Sequence, residues 1–142
     1  CLGNICRSPL AQGVLESKVD SSNVQVDSAG TANYHVGEGP DPRSVATASK
    51  YGIDISRQRG RQFVVEDFDR FDHIYVMDVS NYNNVLRLAR SEEDEQKVKL
   101  ILNEVFPGED REVPDPYYGG DQGFENVYQL LSEASDRIIE RI

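Results

Sequence analysis

The sequence has few of the residues on which secreted, metal-binding or nucleic-acid-binding proteins depend. Its 142 residues include two cysteines, Cys1 and Cys6, and two histidines, His35 and His73. Two cysteines cannot build a disulfide scaffold, and these four residues lack the spacing of a zinc site. The 15 lysines and arginines face 25 aspartates and glutamates, a net charge of −10. We therefore expect no metal, no cofactor, no nucleic acid and no anionic membrane as ligands.

Long apolar runs are also missing. No stretch approaches the roughly 18 residues of a membrane span, and the first residues do not resemble a signal peptide. We therefore expect a soluble, cytoplasmic protein. A length of 142 residues predicts one domain over residues 1–142. An initial methionine is absent as well, because the sequence starts at Cys1 and its single methionine is Met77.

What the sequence does contain is an alternation of helical and strand patterns. Ser8 followed by Pro9 predicts a helix start with Ser8 as N-cap, and apolar residues continue this helix to about residue 19. Further helices are predicted at residues 45–49 and from a Ser80 cap to about residue 90. A helical stripe predicts a C-terminal helix that covers the sheet, and it consists of Phe124, Val127, Tyr128, Leu131, Ser135, Ile138 and Ile142.

Strands are predicted between these helices. The apolar runs at residues 24–26, 73–77 and 98–102 are short and rich in β-branched residues. The acidic run at residues 92–95 predicts a solvated loop. Alternating helices and strands indicate βαβ units, an α/β fold with a parallel sheet, and ligands at the carboxyl ends of its strands.

The segment Cys1–Pro9 has the chemistry of a phosphate site. A helix amino terminus offers unpaired N–H groups and a positive dipole end to an anion, and the same field favours a cysteine thiolate. Arg7 can bind two phosphoryl oxygens at once. Gly3 lets the backbone turn inward, and Asn4 tolerates a left-handed conformation. A thiolate, an anion cradle and an arginine within eight residues indicate phosphoryl transfer to cysteine.

Two separated motifs resemble one family. Cys1–Pro9 is similar to the signature loop of the low-molecular-weight protein tyrosine phosphatases, and residues 115–120 resemble that family's general-acid loop. Residues 27–31, 41–43 and 77–78 follow in the expected order. The resemblance implies a three-layer sandwich with a four-stranded parallel sheet of flavodoxin-like order 2-1-3-4 and helices on both faces. The first strand of that order would precede Cys1, so we expect a short apolar strand there in the natural protein.

The resemblance also implies roles for individual residues. Cys1 would attack phosphorus and form a cysteinyl-phosphate, Arg7 would bind the phosphoryl group, and Asp115 would act as general acid and then base. By itself, Asp115 is typical of a turn. The implied phosphate-binding loop consists of Leu2, Gly3, Asn4, Ile5, Cys6, Arg7 and Ser8. Its hydrogen-bond network would comprise Asn4, Ser8 and Ser28, with Ser8 donating to the sulfur of Cys1, and Gln58 takes the place of a histidine found in some members.

The walls of the cleft and its second cysteine complete the expected site. Tyr34, Tyr117 and Tyr118 would form aromatic walls that suit a phenyl phosphate, with Leu2 and Ile5 at the rim. A bulky Ile5 favours phosphotyrosine over phosphoarginine in this family. Cys6 would form a disulfide with Cys1 under oxidation. The alternative for Cys6 is a small buried residue without a redox role.

The expected activity is therefore that of a protein tyrosine phosphatase. It would act on phosphotyrosine proteins or aryl phosphates, with inorganic phosphate and vanadate as inhibitors. One alternative is an arsenate reductase on the same fold, but that reaction needs a third thiol, which this sequence lacks. Another is a non-catalytic phosphotyrosine-binding module, which would not need Cys1 or Asp115. We expect a monomer, with a weak self-dimer through the acid-loop tyrosines as the alternative.

Overall fold

The computed structural model describes residues 3–116 and 120–142. Cys1, Leu2, Tyr117 and Tyr118 therefore lie outside the described residues. The helices are α1 (Arg7–Lys18), α2 (Pro42–Lys50), α3 (Asp67–Arg70), α4 (Val79–Leu86), α5 (Glu92–Lys97) and α6 (Gly120–Arg141). The strands are β1 (Ile74–Val76) and β2 (Val98–Leu100), and a 3₁₀ turn follows β2 at Ile101–Glu104.

The two strands form a parallel pair. Ile74 lies opposite Val98 and Val76 opposite Leu100, so the expected parallel sheet is confirmed. A separate parallel bridge joins Gly30 to Gln62. The predicted strand at 24–26 is wrong, because this segment makes no strand ladder with any described residue. Residues 23–29 and β1 line a common cavity of about 520 Å³.

Two hydrophobic clusters lie on opposite faces of the sheet. Ile74 and Val76 of β1 pack with Phe68 and Val85 of α3 and α4. Tyr75, which points the other way in the strand, packs against the larger cluster between α1, α2 and α6. The larger cluster consists of Leu10, Ala48, Ile55, Met77, Ile101, Leu102, Val113, Val127, Leu131, Ala134 and Ile138. Helices therefore cover both faces.

The C-terminal helix matches its predicted stripe over most of its length. All stripe residues from Phe124 to Ile138 are buried, whereas Ile142 is 51% exposed and follows the last helical residue. The helix packs mainly against α1, α2 and the 3₁₀ turn. Its buried residues share the larger cluster with Met77 and Ile101, which directly follow the two strands, and Tyr75 of β1 packs against that cluster.

Two predicted helix caps differ from those in the structure. Helix α1 begins at Arg7, with Cys6 as N-cap and no capping side chain. Ser8 is not the cap because its hydroxyl donates to Asn4 Oδ1 at 2.8 Å. Pro9 still lies in the first turn, where a missing N–H costs little. Helix α4 is capped by Asp78 rather than Ser80, since an Asp78 carboxylate oxygen accepts from the Asn81 N–H at 2.8 Å.

The acidic run is helical, contrary to the predicted loop. Ser91 caps α5, and its hydroxyl accepts from the Asp94 N–H at 3.3 Å. Four acidic residues in the first turn stabilise the positive end of the helix dipole. Asp94 is buried against Arg90, whose Nε lies 2.9 Å from the carboxylate. The acidic residues at the start of α5 thus stabilise a helix here, where the sequence predicted a solvated loop.

Helix α2 begins earlier than its apolar pattern predicted. Asp41 is its N-cap, with Pro42 as the first helical residue, and the Arg43 N–H donates to Asp41 Oδ1 at 2.8 Å. This start places Asp41 and Ser44 against the residues that lead into α1. No helix in the described ranges is long and apolar enough to span a membrane.

Candidate active site

The segment Gly3–Cys6 forms a tight loop that leads into α1. Asn4 has φ +58°, in the left-handed region, where asparagine is better tolerated than most residues. Gly3 lies against the ring of His35, and a Cβ at Gly3 would come within 2.6 Å of His35 Cδ2. His35 is itself held by Glu38, with Nδ1 2.7 Å from Oε2. The loop therefore depends on the absence of a side chain at Gly3.

The side chain of Asn4 ties the loop to two other segments. Asn4 is 4% exposed, and its Oδ1 accepts from the Ser8 hydroxyl at 2.8 Å. Its Nδ2 donates to the Ser28 carbonyl at 3.4 Å. The structure thus brings together Asn4, Ser8 and Ser28. Gln58 lies beside this group, and its Nε2 donates to the Pro9 carbonyl at 3.1 Å.

The carbonyl groups of the loop are bound on its outer side. The Asp41 N–H donates to the Ile5 carbonyl at 2.7 Å, and the Ser44 hydroxyl donates to the Cys6 carbonyl at 3.2 Å. No backbone-to-backbone hydrogen bond within residues 3–116 and 120–142 uses an N–H of the loop from Gly3 to Cys6. Because these carbonyl groups accept hydrogen bonds on the outer side of the loop, the loop N–H groups can point inward towards an anion.

Arg7 is held rigidly at the amino end of α1. Its residue surface is 6% exposed, Nη1 donates to the Val113 carbonyl at 2.7 Å, and Nη2 donates to Asp78 Oδ2 at 2.9 Å. Asp78 follows β1, and the Val113 N–H donates to the Met77 carbonyl at 2.8 Å. Two segments at the carboxyl end of the strand therefore fix the plane of the guanidinium.

The thiol of Cys6 is buried and free. Burial, together with the negative charges of Asp41 and Asp115, raises the pKa of this thiol to about 11. Arg43 and Arg7 lower the pKa of Cys6, but by less. Cys6 is therefore a neutral thiol at physiological pH, so it cannot act as the thiolate nucleophile of this loop.

An ion pair borders the loop on the side of α2. Arg43 binds Asp41 through Nη2 at 3.0 Å and Nε at 3.1 Å. This pairing lowers the pKa of the Asp41 carboxyl. The Arg43 guanidinium also lies over the ring of Phe124, 4.7 Å from its centroid. The pair links the outer side of the loop to α6.

Asp115 lies in an exposed segment between two prolines. The Asp115 side chain is exposed, whereas Val113 and Pro116 on either side of the segment are buried. Pro116 packs against the start of α6, since a Cβ at Gly123 would lie 3.3 Å from its carbonyl oxygen. The effect of Asp115 on the Cys6 pKa places its charge near the loop. The structure thus brings Asp115 to the same side of the molecule as Arg7.

Of the expected cleft walls, Tyr34 is described and is 73% exposed. Ile5, expected at the rim, is partly buried in the loop. Tyr117 and Tyr118 fall outside the described residues, as do Leu2 at the rim and Cys1 itself. The structure therefore brings together Arg7, Asn4, Ser8, Ser28 and Asp115, and the expectations for the other wall residues and for Cys1 stay predictions.

Sequence reasoning missed several residues that build this site. Asp78 and Val113 bind Arg7, and Asp41 and Ser44 bind the loop carbonyls. A signal for Asp78 was present, because a polar residue directly after a buried parallel strand lies where ligands bind. No comparable signal exists for Val113 or Ser44, whose roles depend on a backbone carbonyl and on helix packing. In the described ranges no three His, Cys, Asp or Glu residues are grouped to hold a metal ion.

Comparisons with known proteins show the family of this chain. A sequence model of the family described as "Low molecular weight phosphotyrosine protein phosphatase" matches residues 1–142. A Synechocystis protein named for the low molecular weight protein-tyrosine-phosphatases is 44% identical over 143 residues, covering 98% of this chain and 90% of the relative. The Homo sapiens low molecular weight phosphotyrosine protein phosphatase is 39% identical over 145 residues, covering 99% of this chain and 91% of the relative.

Solved structures show the same fold. A protein tyrosine phosphatase from Entamoeba histolytica, with Hepes in its active site, superposes with a TM-score of 0.89 at 36% identity, covering 99% of this chain and 92% of that chain. Wzb from Vibrio vulnificus, in complex with benzylphosphonate, gives a TM-score of 0.88 at 27% identity, covering 100% of this chain and 94% of that chain.

The fold is α/β, and the loop with its fixed Arg7 lies at the carboxyl end of a parallel strand. With the full-length family match, the chain belongs to the low molecular weight phosphotyrosine protein phosphatases. It is thereby an enzyme of the protein-tyrosine-phosphatase class, a phosphoric monoester hydrolase.

Proposed function

We propose that the protein hydrolyses phosphotyrosine and aryl phosphates through a cysteinyl-phosphate on Cys1. The observation that supports this most is the fixed position of Arg7, held by Val113 and Asp78 beside the Gly3–Cys6 loop. A buried arginine held in advance can stabilise the equatorial oxygens of a phosphoryl transition state without reorganisation. Catalysis of phosphoryl transfer depends mainly on positioning and on electrostatic stabilisation by such positive charge.

In the first step, the thiolate of Cys1 attacks phosphorus and forms an S–P bond while the P–O bond to the aryl group breaks. The tyrosyl oxygen leaves with a proton from Asp115. The exposure of Asp115 supports this role, because a bulky leaving group departs towards solvent. The neighbouring Pro114 and Pro116 restrict the segment and lower the entropy cost of holding the acid.

In the second step, the ionised Asp115 takes a proton from water, and the water oxygen attacks phosphorus. The S–P bond breaks, inorganic phosphate is released and the Cys1 thiolate is regenerated. Ser8, at the amino end of α1, would donate to the departing sulfur when its hydroxyl turns away from Asn4 Oδ1. A helix amino terminus favours the thiolate form of a cysteine, so Cys1 would depart as thiolate.

Phosphotyrosine proteins are the proposed substrates. Tyr34 and Ile5, with Leu2, Tyr117 and Tyr118, would form a deep apolar entrance that a phenyl ring fills and a phosphoserine does not. The benzylphosphonate of the Vibrio protein and the sulphate of the Escherichia coli K30 Wzb structure are anions bound by relatives. These ligands support an anion site here and agree with inhibition by phosphate and vanadate.

We also propose the finer architecture of the family for this chain, a single domain with a four-stranded sheet of order 2-1-3-4. The parallel pairing of β1 with β2 and the superposition on the Entamoeba histolytica protein tyrosine phosphatase support it.

Cys6 is the proposed redox partner of Cys1. A peroxide would oxidise the Cys1 thiolate to sulfenic acid, and the Cys6 thiol would then condense with it to a disulfide with release of water. The burial of Cys6 and its raised pKa support this order of events, because the neutral thiol itself is oxidised slowly. If Cys6 is only a small buried residue without a redox role, it gives Cys1 no protection against irreversible oxidation.

Hydrolysis of para-nitrophenyl phosphate at mildly acidic pH by the full-length protein tests the proposal. We expect turnover, competitive inhibition by vanadate, and a phosphocysteine at Cys1 after acid quenching. The Cys1→Ser variant loses turnover by at least about 10⁴-fold but still binds phosphate, because the cradle remains. Absence of turnover in the wild-type protein would overturn the proposal.

A further inference from the structure

Hydrogen bonds link four residues into a ring behind the phosphate loop, and one of these bonds is to a backbone carbonyl. The Ser8 hydroxyl donates to Asn4 Oδ1 at 2.8 Å, and Asn4 Nδ2 donates to the Ser28 carbonyl at 3.4 Å. The Ser28 hydroxyl donates to Gln12 Oε1 at 2.6 Å. Gln12 lies one turn after Ser8 on α1, so the helix itself closes the ring.

The ring matters because Asn4 is held in a costly backbone conformation. Its φ of +58° is disfavoured for a residue with a Cβ. Such a conformation persists only when the surrounding contacts determine it. For Asn4 these contacts are Ser8, on a rigid helix, and the backbone carbonyl of Ser28.

The Ser28 carbonyl can support Asn4 only if its own segment is fixed. The Ser28 N–H donates to Asp27, its direct neighbour, at 2.8 Å. The short bond from the Ser28 hydroxyl to Gln12 joins this segment to α1. Gln12 therefore anchors the second support of Asn4 to the same helix that provides the first.

We propose that Gln12 is a positioning residue for the phosphate loop, acting through Ser28 and Asn4. This inference rests on the proposed phosphatase function and adds a residue to its site. Loss of the Gln12 oxygen lets Ser28 move, weakens the hold on Asn4 and disorders the loop N–H groups. Those N–H groups stabilise both the Cys1 thiolate and the transition-state oxygens, so both properties change together.

The Gln12→Met variant tests the proposal, since methionine keeps the length of the side chain and removes the amide oxygen. We expect kcat for para-nitrophenyl phosphate to fall about five- to tenfold with a smaller change in KM, the scale of one lost hydrogen bond. The pH midpoint of Cys1 alkylation by iodoacetate rises. Gln96→Met, an exposed matched substitution on α5, changes neither quantity.

A double variant decides whether Gln12 acts through Ser28. Gln12→Met combined with Ser28→Ala should lower kcat no more than the stronger single variant, because both break the same bond. Additive losses would overturn the proposal. A lowered melting temperature with unchanged kcat and unchanged alkylation midpoint would also overturn it, since it would show a structural role only.

Failure of the proposed function gives a different result. In that case the wild-type protein does not hydrolyse the aryl phosphate and traps no phosphocysteine. The alkylation midpoint of Cys1 still reports whether Gln12 controls the loop, because it needs no substrate. An unchanged midpoint in Gln12→Met overturns the positioning role in either case.

Discussion

The two segments that supply the chemistry of the site are built in opposite ways. The loop from Gly3 to Ser8 is enclosed, with Asn4, Cys6, Arg7 and Ser8 buried and bound to α2, to residue 28 and to the end of β1. The segment that holds Asp115 is exposed between two buried anchors, Val113 and Pro116. The loop is bound at nearly every residue, whereas the segment of Asp115 reaches the surface between its two buried anchors.

The difference follows from what each segment must do. A cradle for a phosphoryl group stabilises charge only if its donors are in place before the reaction, so its bonds lie within the protein. A general acid must meet leaving groups of different size at the surface and must change between protonated and ionised forms. Solvent contact allows both. The rigid part should therefore affect all substrates equally, and the exposed part should distinguish between them.

The largest expected effect comes from the rigid part. Arg7→Lys keeps the charge but loses the planar fork that binds Val113, Asp78 and the phosphoryl oxygens together. We expect kcat/KM to fall about 10³-fold for aryl phosphates with good and poor leaving groups alike. Arg87→Lys, an exposed substitution on the surface, serves as control. A loss confined to poor leaving groups would contradict the comparison.

The next effect comes from the exposed part. Asp115→Ala removes the proton donor of the first step, which kcat/KM reports, so kcat/KM for phenyl phosphate should fall about 10²-fold. For para-nitrophenyl phosphate, whose leaving group needs no proton, kcat/KM should fall only a few-fold. Steady-state kinetics over a series of substituted phenyl phosphates measures this dependence. Asp72→Ala, exposed at the opposite end of β1, is the control. Equal slowing across the series would show that Asp115 is not the acid.

The smallest effect concerns Cys6, whose pKa depends on charges in both segments, Arg7 in the loop and Asp115 in the exposed segment. Its pKa is raised from 9.0 to about 11 in the folded protein, so the fold favours the neutral thiol. This stabilisation is complete below pH 9 and is lost as the pH rises towards 11. The urea midpoint of the wild type, relative to Cys6→Ala, should therefore fall by roughly 0.5 M between pH 8 and pH 10.5. A difference independent of pH would contradict the raised pKa.

The sequence predicted the family and the parallel sheet better than the local hydrogen bonds. The helix starts at Ser8 and Ser80 were misplaced because a better partner existed for each position: Asn4 binds the Ser8 hydroxyl, and Asp78 caps α4. Capping propensity describes an isolated helix and does not include such tertiary partners. The acidic run at residues 92–95 was misjudged for a related reason, since Ser91 and Arg90 stabilise it locally.

The parts of the site that could be predicted lie close together in the sequence. The loop residues from Gly3 to Ser8 are neighbours in the sequence, so residue type and spacing alone indicate that the loop can bind an anion. Arg7 and Val113 are 106 residues apart, and a backbone carbonyl leaves no trace in side-chain identity. Gln12 resembles any polar residue on a helix until Ser28 is placed beside it. Contacts between distant segments therefore escape single-sequence reasoning.

Asp78 restricts its own replacement. One carboxylate oxygen caps α4 through Asn81, and the other binds Arg7. Serine, threonine or asparagine would cap the helix about as well but would leave a buried guanidinium without a counter-charge. Glutamate would keep the charge, but its longer side chain is a poor cap. The two requirements together leave aspartate as the one residue that meets both. No substitution at this position is therefore expected to be neutral.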